Sequence, residues 1–219
     1  MFPIARVTKD PQERQAELMD TALELFLSQG YQQTLISDIV KKVGVAQGTF
    51  YYYFASKEAV LEAIIAHHIK HMMTAVQKTE WDQTAPLEQL QLFVNHFYKL
   101  HYTGSIGLLG KVLYRENQGV LINRLWRQTH ISTKPLLVQI LEHCNQAGAT
   151  QVTRMDETLG FFSGIIGSLL EASSPLEFGH ESNPDVMKHK RRIAERLLES
   201  LFDTPAGSIY LEEVSAQEP

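Results

Sequence analysis

The stretch VGVAQGTFYYYFASKE, residues 43–58, sets Tyr51, Tyr52 and Tyr53 side by side between Phe50 and Phe54. A helix that advances about 100° per residue cannot bury three consecutive rings. With Phe50 as origin, the same advance puts Phe54 at about 40°, Tyr53 at about −60°, Tyr51 at about 100°, Gly48 at about 160°, Tyr52 at about 200° and Thr49 at about −100°. Phe50 and Phe54 then define a buried face. Tyr52 points away from it, flanked by Gly48 and, more obliquely, Thr49, while Tyr51 and Tyr53 stand at the shoulders with packed rings and outward hydroxyls.

The flanking sequence is helical in period. Leu18, Ala22, Leu25 and Phe26 recur at three- and four-residue spacing, and Gly30 ends the run, which predicts a helix over about 10–29. Thr34 or Ser37 is expected to cap a short second helix carrying Ile36, Ile39, Val40 and Val43, which Gly44 breaks. Ser56, Lys57 and Glu58 restart the chain as a fourth helix with Val60, Leu61, Ile64, Ile65 and Ile69 on one side. Five further helical stretches follow, about 86–102, 105–116, 117–147, 154–173 and 184–202, separated by turn-rich segments. Pro135 is expected to kink or split the third of these, and the tail over 206–219 reads as frayed. No alternation of period two persists and no internal repeat is present, so the expected fold is all-α with about nine helices.

Two short helices joined by a Gly turn, the second with an outward face of Gly, Thr and Tyr, form a helix-turn-helix whose second helix fits a major groove. Gln47 and Thr49, near its start, can bond base edges, and Gly48 permits close backbone approach. The hydroxyls of Tyr51, Tyr52 and Tyr53 and the ammonium of Lys57 suit phosphate oxygens. Thr34 can meet a phosphate through its hydroxyl and the amides that open the second helix.

The run TLISDIVKKVGVAQGTFYYYFASKEAVLEAII, residues 34–65, resembles the DNA-binding domain of TetR-type transcriptional regulators. The resemblance spans roughly residues 10–65 and is carried by an ordered set: Thr34, Ile39, Gly44, Val45, Gly48, Thr49, Phe50, Tyr51, Phe54, Ser56, Lys57 and Glu58. It implies that Thr34, Gln47, Gly48, Thr49, Tyr51, Tyr52, Tyr53 and Lys57 face operator DNA. Gln47 departs from the Lys or Arg frequent there, which weakens any phosphate role at that position. The implied organisation is a DNA-binding domain over 1–70, with the fourth helix shared, and an effector-binding and dimerisation domain over 71–205. The implied partners are double-stranded operator DNA, a small-molecule effector and a second copy of the chain. The implied activity is transcriptional regulation, as a repressor released from a palindromic operator rather than an activator, with no cofactor.

Charge bears on that expectation. The chain carries a net −5, and residues 1–70 hold Arg6, Lys9, Arg14, Lys41, Lys42, Lys57 and Lys70 against eight acids. Few phosphates would be neutralised, so the expected salt dependence is shallow, with Arg6 and Lys9 on an N-terminal arm as extra contacts. With 219 residues and 44% hydrophobic content the chain has enough apolar mass for one or two packed domains. No apolar run approaches the roughly 20 residues of a membrane span, and no signal core opens the chain, so a cytoplasmic location is expected. The single cysteine, Cys144, has no second thiol with which to pair.

Toward the C-terminus, Phe93, Phe97, His101, Tyr102, Trp126 and His130 suit an effector cavity and equally suit a packed core. Phe161, Phe162, Ile165 and Leu169, with Leu197 and Leu201 on the last helix, suit either a four-helix dimer contact or an internal core. His67 and His71 stand one turn apart beside His68, but no carboxylate or thiol completes a metal set nearby, so no metal is expected. No nucleophile stands with a base, no paired carboxylates share a helical face near the aromatic cluster, and TGSIGLLGK lacks the Ser or Thr of a phosphate loop, which argues against an enzyme. A protein-interaction adaptor is the remaining alternative.

Overall fold

The computed structural model describes residues 10–78, 84–171 and 184–212, and among them finds nine α-helices and no strand. Arg6, Lys9 and the last tail residues, 213–219, lie outside the described residues. The chain divides into two compact units at Ile64 and Ile65.

In the first unit, α1 (Pro11–Gln29) starts at Asp10, whose side chain accepts from the Gln12 amide at 2.8 Å, with Pro11 in the first turn where its missing N–H costs nothing. Gly30, at φ +96°, ends it. Neither Thr34 nor Ser37 caps α2 (Ile36–Val43): Leu35 occupies that position, and its amide donates to the Asp38 carboxylate at 3.0 Å. Gly44 takes the left-handed conformation, φ +78°, and lets the amides of Gly44 and Val45 both reach the Val40 carbonyl, which turns the chain into α3 (Gln47–Tyr53). α4 (Lys57–Gln77) follows, its first turn capped by the Ser56 hydroxyl, which accepts from the Ala59 amide at 3.2 Å. Leu18, Phe26, Ile39, Phe50 and Leu61 are the fully buried centre of this unit.

The second unit contains α5 (Pro86–Tyr102), α6 (Gly104–Arg115), α7 (Gly119–Gln146), α8 (Met155–Glu171) and α9 (Pro184–Phe202). Its core joins Phe93 and Phe97 of α5, Ile140 and Leu141 of α7, Phe162 of α8, and Leu198 and Phe202 of α9. α5 and α6 meet so closely that a Cβ on Gly107 would lie 2.5 Å from the Tyr102 carbonyl carbon, so glycine alone fits there. Pro135 does not split α7, which runs as one helix through it. The Asn145 side chain closes the turn after α7, donating to the Val152 carbonyl at 2.7 Å and accepting from Thr150 and the Val152 amide.

The expected frayed tail is corrected over its described part. Ile209 and Leu211 are buried, and Gln91 and Asn95, one turn apart on α5, clamp the backbone beside them. Gln91 donates to the Tyr210 carbonyl at 2.6 Å and accepts from its amide at 3.0 Å. Glu199 of α9 accepts from the amides of Gly207 and Ile209 at 2.6 and 3.2 Å. Gln91 and Asn95 of α5 and Glu199 of α9, all buried, are thus the partners of an irregular segment whose backbone has no ladder of its own.

Candidate functional site

The face of α3 follows the angular reading of the sequence. Phe50 and Phe54 are buried with ring centroids 5.7 Å apart, Tyr52 is 78% exposed, and Tyr51 is 52% exposed with its ring set edge-on against Phe50. Phe54 itself lies just past the helix in extended backbone, so its burial comes from the chain turning inward there. Tyr53 is half-buried and packs edge-on against Tyr52 at 4.9 Å. Gln47 and Gly48 are exposed, Thr49 is half-buried, and no side chain caps α3. The result is a short helix whose outer side offers an amide, three phenol groups and bare backbone to a polar partner. A Cβ on Gly48 would meet nothing within 4 Å, so that surface is open.

Two expected contact residues face inward instead. Thr34 is fully buried, and its hydroxyl donates to the Gly30 carbonyl at 2.7 Å while accepting from Gln29. Lys57 is no mobile charge: its ammonium donates to the carbonyls of Tyr31 (2.8 Å), Gln32 (3.3 Å) and Thr34 (3.0 Å) and sits 4.4 Å over the Tyr31 ring. Three donors on three carbonyls tie the head of α4 to the loop between α1 and α2. Next to it, Glu58 is held below the usual carboxylate range by its own backbone amide and then by Ser56. Sequence reading missed the role of Lys57 because its partners lie 23 to 26 residues away. Replacing Lys57 with Met is expected to cost the first unit about 2 kcal/mol, since charge-assisted bonds are lost while the carbonyls stay partly covered. A urea midpoint equal to that of the wild type would return Lys57 to a free surface role.

Electrostatically the face is sparse. Arg14 pairs with Glu17 at 2.5 Å and Lys42 pairs with Glu24. Lys57 is held by carbonyls, which leaves Lys41 as the exposed cation outside these contacts among the described residues 10–64.

The second unit holds a cavity of about 50 Å³ lined by Ile65, Leu100, His101, Ile106, Leu109, Gly110, Leu113, Tyr114, Ile122, Leu125, Trp126 and Thr129. Of the six aromatic and histidine candidates, His101 and Trp126 line it, stacked in parallel at 4.5 Å. Phe93 and Phe97 belong to the core behind it. Tyr102 instead stacks on Tyr98 at 5.0 Å, and His130 meets the Ser163 hydroxyl at 3.1 Å. Burial pushes the His101 imidazole down to about 4, so it is neutral at neutral pH. The aliphatic walls from α6 and α7 carried no signal distinguishing them from ordinary core positions.

The proposed dimer positions divide. Phe162 and Leu169 are core residues, so their candidacy for a contact surface is corrected. Phe161 is 67% and Leu197 50% exposed, Ile165 and Leu201 are half-buried, and Ile193, one turn before Leu197 on α9, is exposed. His67 and His71 lie 4.5 Å apart, yet no group of three metal-ligating residues forms among the described residues. The Cys144 thiol is buried, donates to the Pro86 carbonyl at 3.2 Å, and is pushed up to about 11 by burial, which leaves it unreactive. No described helix is long and apolar enough to cross a membrane.

Residues 18–64 match the family model of bacterial regulatory proteins, tetR family. Over 61 residues the chain is 41% identical to the uncharacterized HTH-type transcriptional regulator YvdT of Bacillus subtilis, covering 28% of this chain and 31% of that protein. Over 92 residues it is 27% identical to the fatty acid metabolism regulator protein of the same organism, covering 42% and 47%. Over 93 residues it is 29% identical to the HTH-type transcriptional repressor KstR2 of Mycolicibacterium smegmatis, covering 42% and 45%. The matched region thus spans less than half the length of each of these relatives. In fold, the chain is similar to a TetR-family regulator structure from Syntrophomonas wolfei (TM-score 0.66, 17% identity, 86% of this chain and 96% of that one). It is also similar to the fatty acid degradation regulator FadR from Bacillus halodurans (TM-score 0.60, 21% identity, 90% and 95%).

Proposed function

The chain belongs to the TetR family of bacterial regulatory proteins, and from that premise we propose that this transcriptional regulator is a homodimeric repressor that leaves a palindromic operator when a small effector binds. The observation that carries the reading is the orientation of α3, with Phe50 and Phe54 inward and Tyr52 out. Gln47, Gly48 and Thr49 read base edges at the helix start, and Tyr51, Tyr52 and Tyr53 bond phosphates. Thr34 and Lys57 act on DNA only indirectly, by fixing the loop that sets α2 against α1. Residues 1–70 form the reading head, and residues 71–205 bind the effector and dimerise.

Two reading heads about 34 Å apart meet successive major grooves, which requires a dimer. The exposed apolar positions of α8 and α9, Phe161 and Leu197 with Ile165 and Leu201 at their edge, supply its surface. Small residues assist: Gly160 and Gly164 have open space where a side chain would stand. The effector enters the cavity that Ile65 of α4 lines, and α4 also carries Lys57 in its first turn. Coupling of about 1–3 kcal/mol would shift operator affinity roughly 5- to 150-fold.

Tyr52→Ala tests the interface, because an exposed ring can be removed without disturbing the core. Its loss is expected to weaken binding to the DNA flanking the protein's own gene by at least about tenfold, the worth of one charge-assisted phosphate bond. Fluorescence anisotropy giving the same affinity and base preference as the wild type would refute the groove placement.

A further inference from the structure

Two polar side chains of the cavity wall, His101 and Thr129, have their hydrogens already committed. His101 Nδ1 lies 2.9 Å from the Phe97 carbonyl, which can only accept, so that nitrogen carries the ring proton and Nε2 presents a lone pair. Trp126, parallel at 4.5 Å, and Phe97, at 4.5 Å, hold the ring in place. The Thr129 hydroxyl donates to the Leu125 carbonyl at 2.9 Å, leaving it too as an acceptor. Among the described residues the wall contains no Lys, Arg, Asp or Glu, and most of the rest of it is apolar.

We infer that the effector is an uncharged, largely apolar molecule that donates one hydrogen bond, from a phenol, another hydroxyl or an N–H, to Nε2 of His101. The inference rests on the reading that this cavity receives the effector. A carboxylate is disfavoured, since it can only accept where His101 and Thr129 need a donor and it brings a buried charge that no described side chain of the wall neutralises. A pure hydrocarbon would fill the space but leave Nε2 dry and unbonded. The neutral state of His101, caused by burial, keeps the acceptor available at neutral pH.

Three one-ring probes of similar size separate the possibilities: para-ethylphenol, para-ethylbenzoate and ethylbenzene, titrated calorimetrically into the full chain at neutral pH. The phenol is expected to bind about tenfold tighter than either of the others, the worth of one net hydrogen bond near its upper value. Nitrogen NMR of histidine-labelled protein is expected to show the His101 Nε2 resonance moving with the phenol only. His101→Phe, which keeps a stacked ring, is expected to bring the phenol down to ethylbenzene's affinity. Benzoate binding as tightly as the phenol, or ethylbenzene matching it, overturns the chemical class while leaving the cavity as an effector site. No binding by any of the three overturns the cavity reading and the inference with it. The wild-type titrations and the resonance shift decide the matter even where the variant does not fold.

Discussion

Phe50→Ala is expected to unfold the first unit while the second keeps its structure. Phe50 is fully buried and touches Tyr51 and Phe54, so its truncation removes the anchor of α3 and leaves a cavity costing about 3–5 kcal/mol. A unit of this size, at about 0.05–0.15 kcal/mol per residue, has only several kcal/mol of stability to lose. Amide exchange is the measurement: α2 and α3 should lose protection, while α5, α7 and α8, whose core centres on Phe93, Phe97 and Phe162, should retain it. Tyr52→Ala, at an exposed position two residues away, is the control and should leave stability within about 0.5 kcal/mol. Full protection of α3 in the Phe50 variant would mean that another contact anchors the helix.

The second large effect is a loss of stability in mild acid that depends on His101. Its folded-state imidazole is pushed from 6.5 down to about 4 by burial, so between those values the unfolded chain binds a proton that the folded chain refuses. The group's contribution is therefore fully present above pH 6.5 and is lost as pH falls towards 4. At about 1.4 kcal/mol per pH unit it amounts to about 3 kcal/mol. Urea unfolding followed across that window should show wild type declining more steeply than His101→Phe. Glu58, whose folded-state carboxyl is also lowered, contributes a decline to both proteins and so cancels from the comparison. Parallel pH curves for the two proteins would show that the imidazole reaches solvent and protonates freely.

The acid sensitivity and the ligand preference of the second unit both depend on the imidazole of His101. Burial keeps the ring uncharged, against the opposing pull of the bond from Nδ1 to the Phe97 carbonyl, and that bond fixes its tautomer. A donor ligand on Nε2 would extend that preference, because it too favours the unprotonated nitrogen.

Helix order, the Gly44 turn and the outward aim of Tyr52 were legible in the residues themselves. Each depends on spacing of one to four positions, which helix geometry converts directly into direction. The ordered set from Thr34 to Glu58 likewise carried the family, since it packs a whole supersecondary unit into consecutive sequence. Only the tertiary structure decided what Lys57 and Thr34 do, because their carbonyl partners in the α1–α2 loop are made available by the path of that loop. The same holds for the docking of residues 207–212 on Gln91, Asn95 and Glu199, across separations of up to 119 residues. The cavity walls, too, come from α4, α5, α6 and α7. Their leucines and isoleucines read the same as core residues until packing leaves one side of them empty, and that is a property of how helices fit together, which no local pattern encodes.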